Sequence, residues 1–443
     1  MSAFDPAVFS SNSRFDLDHL TIGGVSASDL AEQFGTPLFV VDEADFKSRA
    51  LAWKSALEEC FGEKSGSVYY AAKSFLAKEI SRWVDGVGIG IDVCTGGELA
   101  VAVATNFPAS RIEMHGNNKS EEEIRSAIAY GVRTIVLDSF FEIERVARIA
   151  QEVGKVQRVL IRVTPGVEAH THEFISTAHE DVKFGFSLAS GAAWDALSAI
   201  HAEPSLELLG LHSHIGSQIF KSEGFAAAAK KLITLLSRYR DTYGKELPEL
   251  DLGGGYGIAY LPGEVTLNPL SIMSELATIV KAECAQSGLA LPTISIEPGR
   301  AIAGPSTTTL YTVGTTKDVE LDGGVSRRYI AVDGGMSDNI RPALYGAEYL
   351  AIVANRLPLG SSANSRVVGK HCESGDIIIR EIALSADVQP GDLLAVPATG
   401  AYGYSMASNY NHVPRPAVVA VIDGAARLIV RREQIADLLA LEI

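Results

Sequence analysis

From Ser67 onward, short runs of β-branched and aromatic residues alternate with longer segments whose apolar positions recur every three or four residues. The short runs are SVYYAAK (67–73), VGIGIDV (87–93), RIEMHG (111–116), RTIVLD (133–138), QRVLIRVT (157–164), ELLGLHSH (207–214), PELDLGG (248–254) and TISIEP (293–298). Between them lie amphipathic stretches such as SEEEIRSAIAYG (120–131), which opens on a serine cap and an acidic first turn and closes on glycine. The longest is FAAAAKKLITLLSRYRDTYG (225–244). Eight strands, each followed by a helix, predict a closed (β/α)8 TIM-like barrel. An open doubly wound sheet would also alternate, but the count favours closure.

After about residue 303 the periodicity changes. TTTLYTVGT, RRYIAVDGG, RVVGKH, DIIIREI, DLLAVPATGAY, PAVVAVIDG and ARLIVRRE read as strands separated by turns, with few helices between them. That predicts a second, all-β domain, a sandwich or β-barrel. The fold class is therefore α/β plus all-β. The barrel is expected over 47–304, and the β-rich domain over 1–46 together with 305–443, with TPLFVVD (36–42) packing in the latter.

Composition narrows the function classes. The 443 residues, 47% of them hydrophobic, suffice for two cores. A net charge of −16 argues against nucleic acid and anionic membranes as partners. No apolar run reaches the ~18–20 residues of a membrane span, and the first residues lack a signal-peptide pattern. Four scattered cysteines, Cys60, Cys94, Cys284 and Cys372, fit reduced thiols in the cytoplasm.

Barrel chemistry collects at the C-terminal ends of the strands. There the sequence places Lys73, Asp92, the segment from His115, Arg162, HSHIGS (212–217), GGGYG (253–257) and EPGR (297–300). LDLGGGYG is not a dinucleotide fingerprint. Three glycines after the seventh strand and one after the eighth match a phosphate pocket, where bare backbone N–H groups approach the anion. HSH, with His170 and His172 of HTHEF, offers a metal-dependent hydrolase as a competing reading. His212 itself is expected to be a core histidine satisfied by backbone. Lysine, phosphate cradle and the strand-eight carboxylate Glu297 together are the three anchors that pyridoxal 5'-phosphate requires. On that reading no metal is expected.

These residues resemble the fold-type III pyridoxal-phosphate-dependent decarboxylases, and the likeness extends over nearly the whole chain. YYAAKSF resembles the cofactor-lysine segment, implying that Lys73 bonds covalently to the cofactor. HSHIGSQ implies His214 against the cofactor ring and Ser217 at its phosphate. DLGGGYG implies Gly253, Gly254 and above all Gly255 as backbone phosphate donors. EPGR implies Glu297 at the ring nitrogen, with Gly299 beside it and Arg300 facing phosphate or substrate. RPALYGA implies Arg341 and Tyr345 at the substrate, HCESGD the catalytic Cys372 with Glu373, and GAYGYSMAS Tyr402 at both cofactor and substrate. HTHEFISTAHEDVKFG resembles a mobile lid. DVCTGGE departs from the family in carrying Cys94 where serine is frequent; neutral packing is expected of it.

The resemblance implies decarboxylation of meso-2,6-diaminopimelate to L-lysine, the last step of lysine biosynthesis. The alternative is another basic substrate: ornithine, arginine or a carboxylated polyamine. Diaminopimelate ends in an ammonium and a carboxylate, which Glu373 with Arg300 and Arg341 would match. A binding protein without turnover would leave HCESGD and GAYGYSMAS unexplained. The family's cysteine motif comes from the partner subunit, so a homodimer with shared active sites is expected.

Overall fold

Eight parallel strands close a barrel: β1 Ser65–Ala71, β2 Gly90–Val93, β3 Ile112–Met114, β4 Thr134–Leu137, β5 Gln157–Thr164, β6 Leu206–His212, β7 Glu249–Asp251 and β8 Thr293–Ile296. Each pairs with the next, and β8 pairs back onto β1, so no edge is left open. Because helices cover the outside, both strand faces are buried, and β2 and β4 are buried at every position. The strand order makes every C-terminal end open on one mouth.

The computed structural model describes residues 4–16, 18–167 and 183–443. It forms two units, Arg49–Gly257 with Leu267–Gly299, which holds the barrel, and Met1–Ser48 with Ile258–Thr266 and Arg300–Ile443. Local chemistry sets the barrel's helix ends. Ser120 accepts from Glu123 N and Glu123 returns a bond to Ser120 N, a capping box that starts helix Glu121–Tyr130; Gly131, at φ 87°, ends it. Val87, expected in the second strand, instead closes helix Lys78–Val87, because Gly88 takes the left-handed cap. Lys119 is buried, its ammonium held by Gly116 O, Val136 O and Glu142 Oε1 at 2.7, 2.7 and 2.8 Å.

The second unit contains all seven strand runs read after the barrel. Its axis is the long strand Thr307–Glu320, which pairs with Leu38–Asp42 and Leu393–Val396 over its first half and with Ser326–Val332 over its second. A register shift between Val313 and Thr315 marks where it passes from one half of the sheet to the other. Leu38–Asp42 also pairs with Ala417–Ile422, so the N-terminal segment belongs to this sheet. Leu38, Val40, Leu310, Ala395, Val419 and Val421 share its core. Among the described residues no helix is long and apolar enough to cross a membrane.

Candidate active site

At the barrel mouth Lys73 lies in the single turn Ala72–Ser74 that ends β1. The Tyr70 hydroxyl donates to Phe75 O at 2.7 Å, and Ser74 Oγ donates to Ala71 O at 2.8 Å; together they fix that turn. Glu297 follows β8 and is 2% exposed. His212 Nε2 and His115 Nε2 stand 3.0 and 3.2 Å from its Oε1. Burial alone would raise the Glu297 carboxyl, yet His115, His212 and Lys73 together hold it well below the usual carboxylate range. Both nitrogens of His212 lack an aligned hydrogen-bond partner, so the expected backbone-satisfied histidine is corrected: strand pairing brings it to Glu297 instead.

The glycine run turns back under the preceding loop. Gly253 and Gly255 have φ of +68° and +110°, and a Cβ on Gly254 would lie 2.2 Å from Glu297 O. Ile219 N donates to Gly255 O at 2.9 Å and Gly257 N to Ile219 O at 3.0 Å, which ties the loop bearing Ser217 to the glycines. Tyr256 anchors the run, tilted against Trp53 at 4.3 Å and stacked on Phe225 at 5.2 Å between ring centres. Gly254 N donates to His214 Nδ1 at 3.2 Å, which leaves the proton of the neutral ring on Nε2. Burial, then Lys73 and Arg162, push His214 well below the ordinary histidine range. Gly299 has no room for a side chain, since a Cβ would lie 2.8 Å from Ala71 Cβ.

Asp92 is also at this mouth, pushed up to about 7 by burial against the opposing pull of Lys73. Cys94 Sγ lies 3.6 Å from Asp92 Oδ1, and burial holds the thiol neutral. Arg162 stacks on Phe184, its guanidinium carbon 4.3 Å from the ring centre. His115, His212 and Glu297 offer three atoms within 4.8 Å, a spacing compatible with a cation. His170 and His172, which the metal reading would add, lie outside the described residues, as does most of the lid segment HTHEFISTAHEDVKFG.

The second unit gathers a different set. Arg300 and Arg341 are 8% and 5% exposed. Arg300 donates to the Tyr260 hydroxyl and Arg341 to the Tyr349 hydroxyl. Arg341 lies over the Tyr260 ring and Arg300 over the Tyr402 ring, each at 4.8 Å. Burial would raise the Tyr260 phenol, but the two guanidiniums outweigh it and lower it. Tyr345 closes helix Arg341–Tyr345 and is half-buried. Sequence reading missed Tyr260 and Tyr349, because a tyrosine beside apolar residues reads as core.

Cys372 and Glu373 are exposed on a separate loop. Asp376 organises it: Oδ1 accepts from Met336 N at 2.6 Å and Oδ2 from His371 N at 2.8 Å. A Cβ on Gly369 would lie 2.2 Å from Asp376 Oδ2, so that approach requires glycine. His371 Nε2 meets Ser337 Oγ at 2.8 Å. One carboxylate thus joins the Cys372 loop to the segment leading into Arg341.

Residues 43–304 match the family model for the pyridoxal binding domain of pyridoxal-dependent decarboxylases. The chain belongs to the pyridoxal-dependent decarboxylase family. It is 54% identical to the diaminopimelate decarboxylase of Corynebacterium efficiens, over 96% of this chain and 91% of that one. Identity to the Mycobacterium tuberculosis diaminopimelate decarboxylase is 53%, over 97% and 96%. The crystal structure of diaminopimelate decarboxylase from M. jannaschii in co-complex with L-lysine superposes with a TM-score of 0.89 at 31% identity, covering 98% of both chains.

The barrel mouth fits pyridoxal phosphate. Glu297 Oε1 is a buried acceptor without an aligned donor, suited to a ring N–H. The glycine run leaves backbone where a Cβ would intrude, and Lys73 stands at the same mouth. Lys73, His214, Ser217, Gly253, Gly254, Gly255, Glu297 and Gly299 all lie in the barrel unit, whereas Arg300, Arg341, Tyr345, Cys372, Glu373 and Tyr402 lie in the other.

Proposed function

We propose that this protein decarboxylates meso-2,6-diaminopimelate to L-lysine and CO2. When bound, pyridoxal phosphate supplies an aldehyde for the substrate amine and a protonated ring that accepts the electron pair left as CO2 departs. Lys73 would hold it through its amine at the end of the first barrel strand. Glu297 would hold the proton at the ring nitrogen, neutral His214 would pack against the ring, and the N–H groups of Gly253–Gly255 with Ser217 would hold the phosphate. Cys372 delivers a proton to the substrate carbon, a task that suits a weakly acidic thiol.

The observation that carries the substrate choice is the pair of buried guanidiniums, Arg300 and Arg341, gathered about Tyr260. Such a pair suits a substrate whose far end bears a carboxylate; ornithine and arginine have only a cation there. Glu373 would hold the distal ammonium, with Tyr345 and Tyr402 completing the contacts. In this reading residues 47–304 carry the cofactor and contribute Arg300, and 1–46 with 305–443 supply the other substrate-facing groups. The partner subunit's Cys372 completes each site of a homodimer. Four free cysteines support a cytoplasmic location. The test is CO2 release by purified, cofactor-loaded protein from a panel of amino acids. Turnover of meso-diaminopimelate well above ornithine, arginine and carboxylated polyamines is expected; preference for any of those would overturn the reading.

A further inference from the structure

The barrel interior holds a carboxylate cluster of which the reaction as described uses only Glu297. Glu113 of β3, Asp251 of β7 and Glu297 present carboxylate oxygens within 4.8 Å of one another. They are 1%, 1% and 2% exposed. Glu113 Oε2, Asp251 Oδ2 and Glu297 Oε1 all lack an aligned hydrogen-bond partner. Three ionised carboxylates cannot share so small a dry space, so protons must be divided among them. His115 Nε2 stands between two of them, 3.2 Å from Glu297 Oε1 and 3.8 Å from Glu113 Oε2, and it too lacks an aligned partner, so a small turn of the ring would complete the bond to Glu297. Asp251 has its own donor, Gly253 N at 2.6 Å on Oδ1.

We propose that Glu113 and His115 are positioning residues for Glu297: Glu113 keeps its proton, and His115 donates its Nε2 hydrogen to Glu297, so that the cluster's negative charge stays on Glu297. This rests on the reading that Glu297 meets the ring nitrogen. The groups facing Glu113 are Tyr69 from β1, Asp92 as its register partner on β2, Arg133 at 3.3 Å beside β4, Glu249 and Asp251 from β7, and Glu297. Arg133 also pairs with Glu249. Burial outweighs Arg133 and pushes Glu113 up to about 8, so its charge appears beside Glu297 as pH rises through that value.

Two measurements on Glu113→Gln test this. In cofactor-loaded protein, kcat and the visible cofactor absorption should change as pH passes about 8, by at least fivefold in kcat between pH 7 and 9, and Glu113→Gln should lose most of that change. In cofactor-free protein, the wild-type Tm should fall relative to the variant's between about pH 5 and 8, because a carboxyl raised in the folded state loses its stabilising contribution across that window. Parallel Tm curves would show Glu113 ionised throughout and overturn the inference. Glu297→Gln separates the readings. If it leaves turnover and spectrum unaltered, Glu297 is not the ring partner and the inference falls with that reading. If it abolishes turnover while Glu113→Gln keeps the wild-type pH profile, only the positioning role is overturned. Should Glu113→Gln not fold, His115→Asn is the second variant: kcat should drop at least tenfold with KM within twofold, and wild-type kcat would refute the bridge.

Discussion

Arg341 is a buried cation whose neighbours fix its side chain. Its guanidinium is held by the Tyr349 hydroxyl and the Tyr260 ring, so little rotamer freedom remains to be lost on binding. Arg341→Ala should therefore lower kcat/KM for diaminopimelate by on the order of 2–4 kcal/mol in transition-state binding, with cofactor retained. Cofactor loss with normal turnover after reloading would instead assign Arg341 to the cofactor. Lys73, Glu297 and the glycines were legible in the sequence, since each sits at the end of a strand that the apolar pattern marks. The contacts of His115 and His212 with Glu297 were not, because they arise from three strands far apart in the chain. No local pattern distinguishes a histidine that meets a carboxylate across a barrel from one bonded to backbone.

At the scale of elements, parallel strands buried on both faces read as continuous apolar runs, and so all eight were visible. Their limits were less so. The run read over 248–254 pairs only across Glu249–Asp251, since the glycines beyond leave the sheet to form a tight loop. Thr307–Glu320 extends past its apolar half, because its exposed polar continuation still pairs with Ser326–Val332. The Cys372 loop depends on Asp376, which the sequence offered only as the end of HCESGD. Asp376→Ala removes two backbone donors' partner and should cost about 2–3 kcal/mol of stability. It should also lower kcat without releasing cofactor, which denaturant titration and steady-state kinetics together would check; unchanged stability and kcat would rule out the clamp.

At the scale of the whole molecule, the chain divides into two units. Lys73 and Cys372 belong to different units of the chain, and we propose that each active site draws them from different subunits, in a two-fold dimer with two identical composite sites. Lys73→Ala and Cys372→Ala, each inactive alone, should recover activity when mixed under conditions of verified subunit exchange, because a hybrid dimer has one site with both native residues. A mixture as inactive as its parents would place Cys372 within its own chain's site or outside catalysis.

Reduction and peptide mapping test directly whether the lysine closing the first barrel strand carries the cofactor. Purified protein should be yellow, and borohydride reduction followed by peptide mapping should find a single pyridoxyl group on Lys73, with activity lost in proportion to labelling. Label on another lysine, including the buried Lys119, or a protein that takes up no pyridoxal phosphate, would contradict the account.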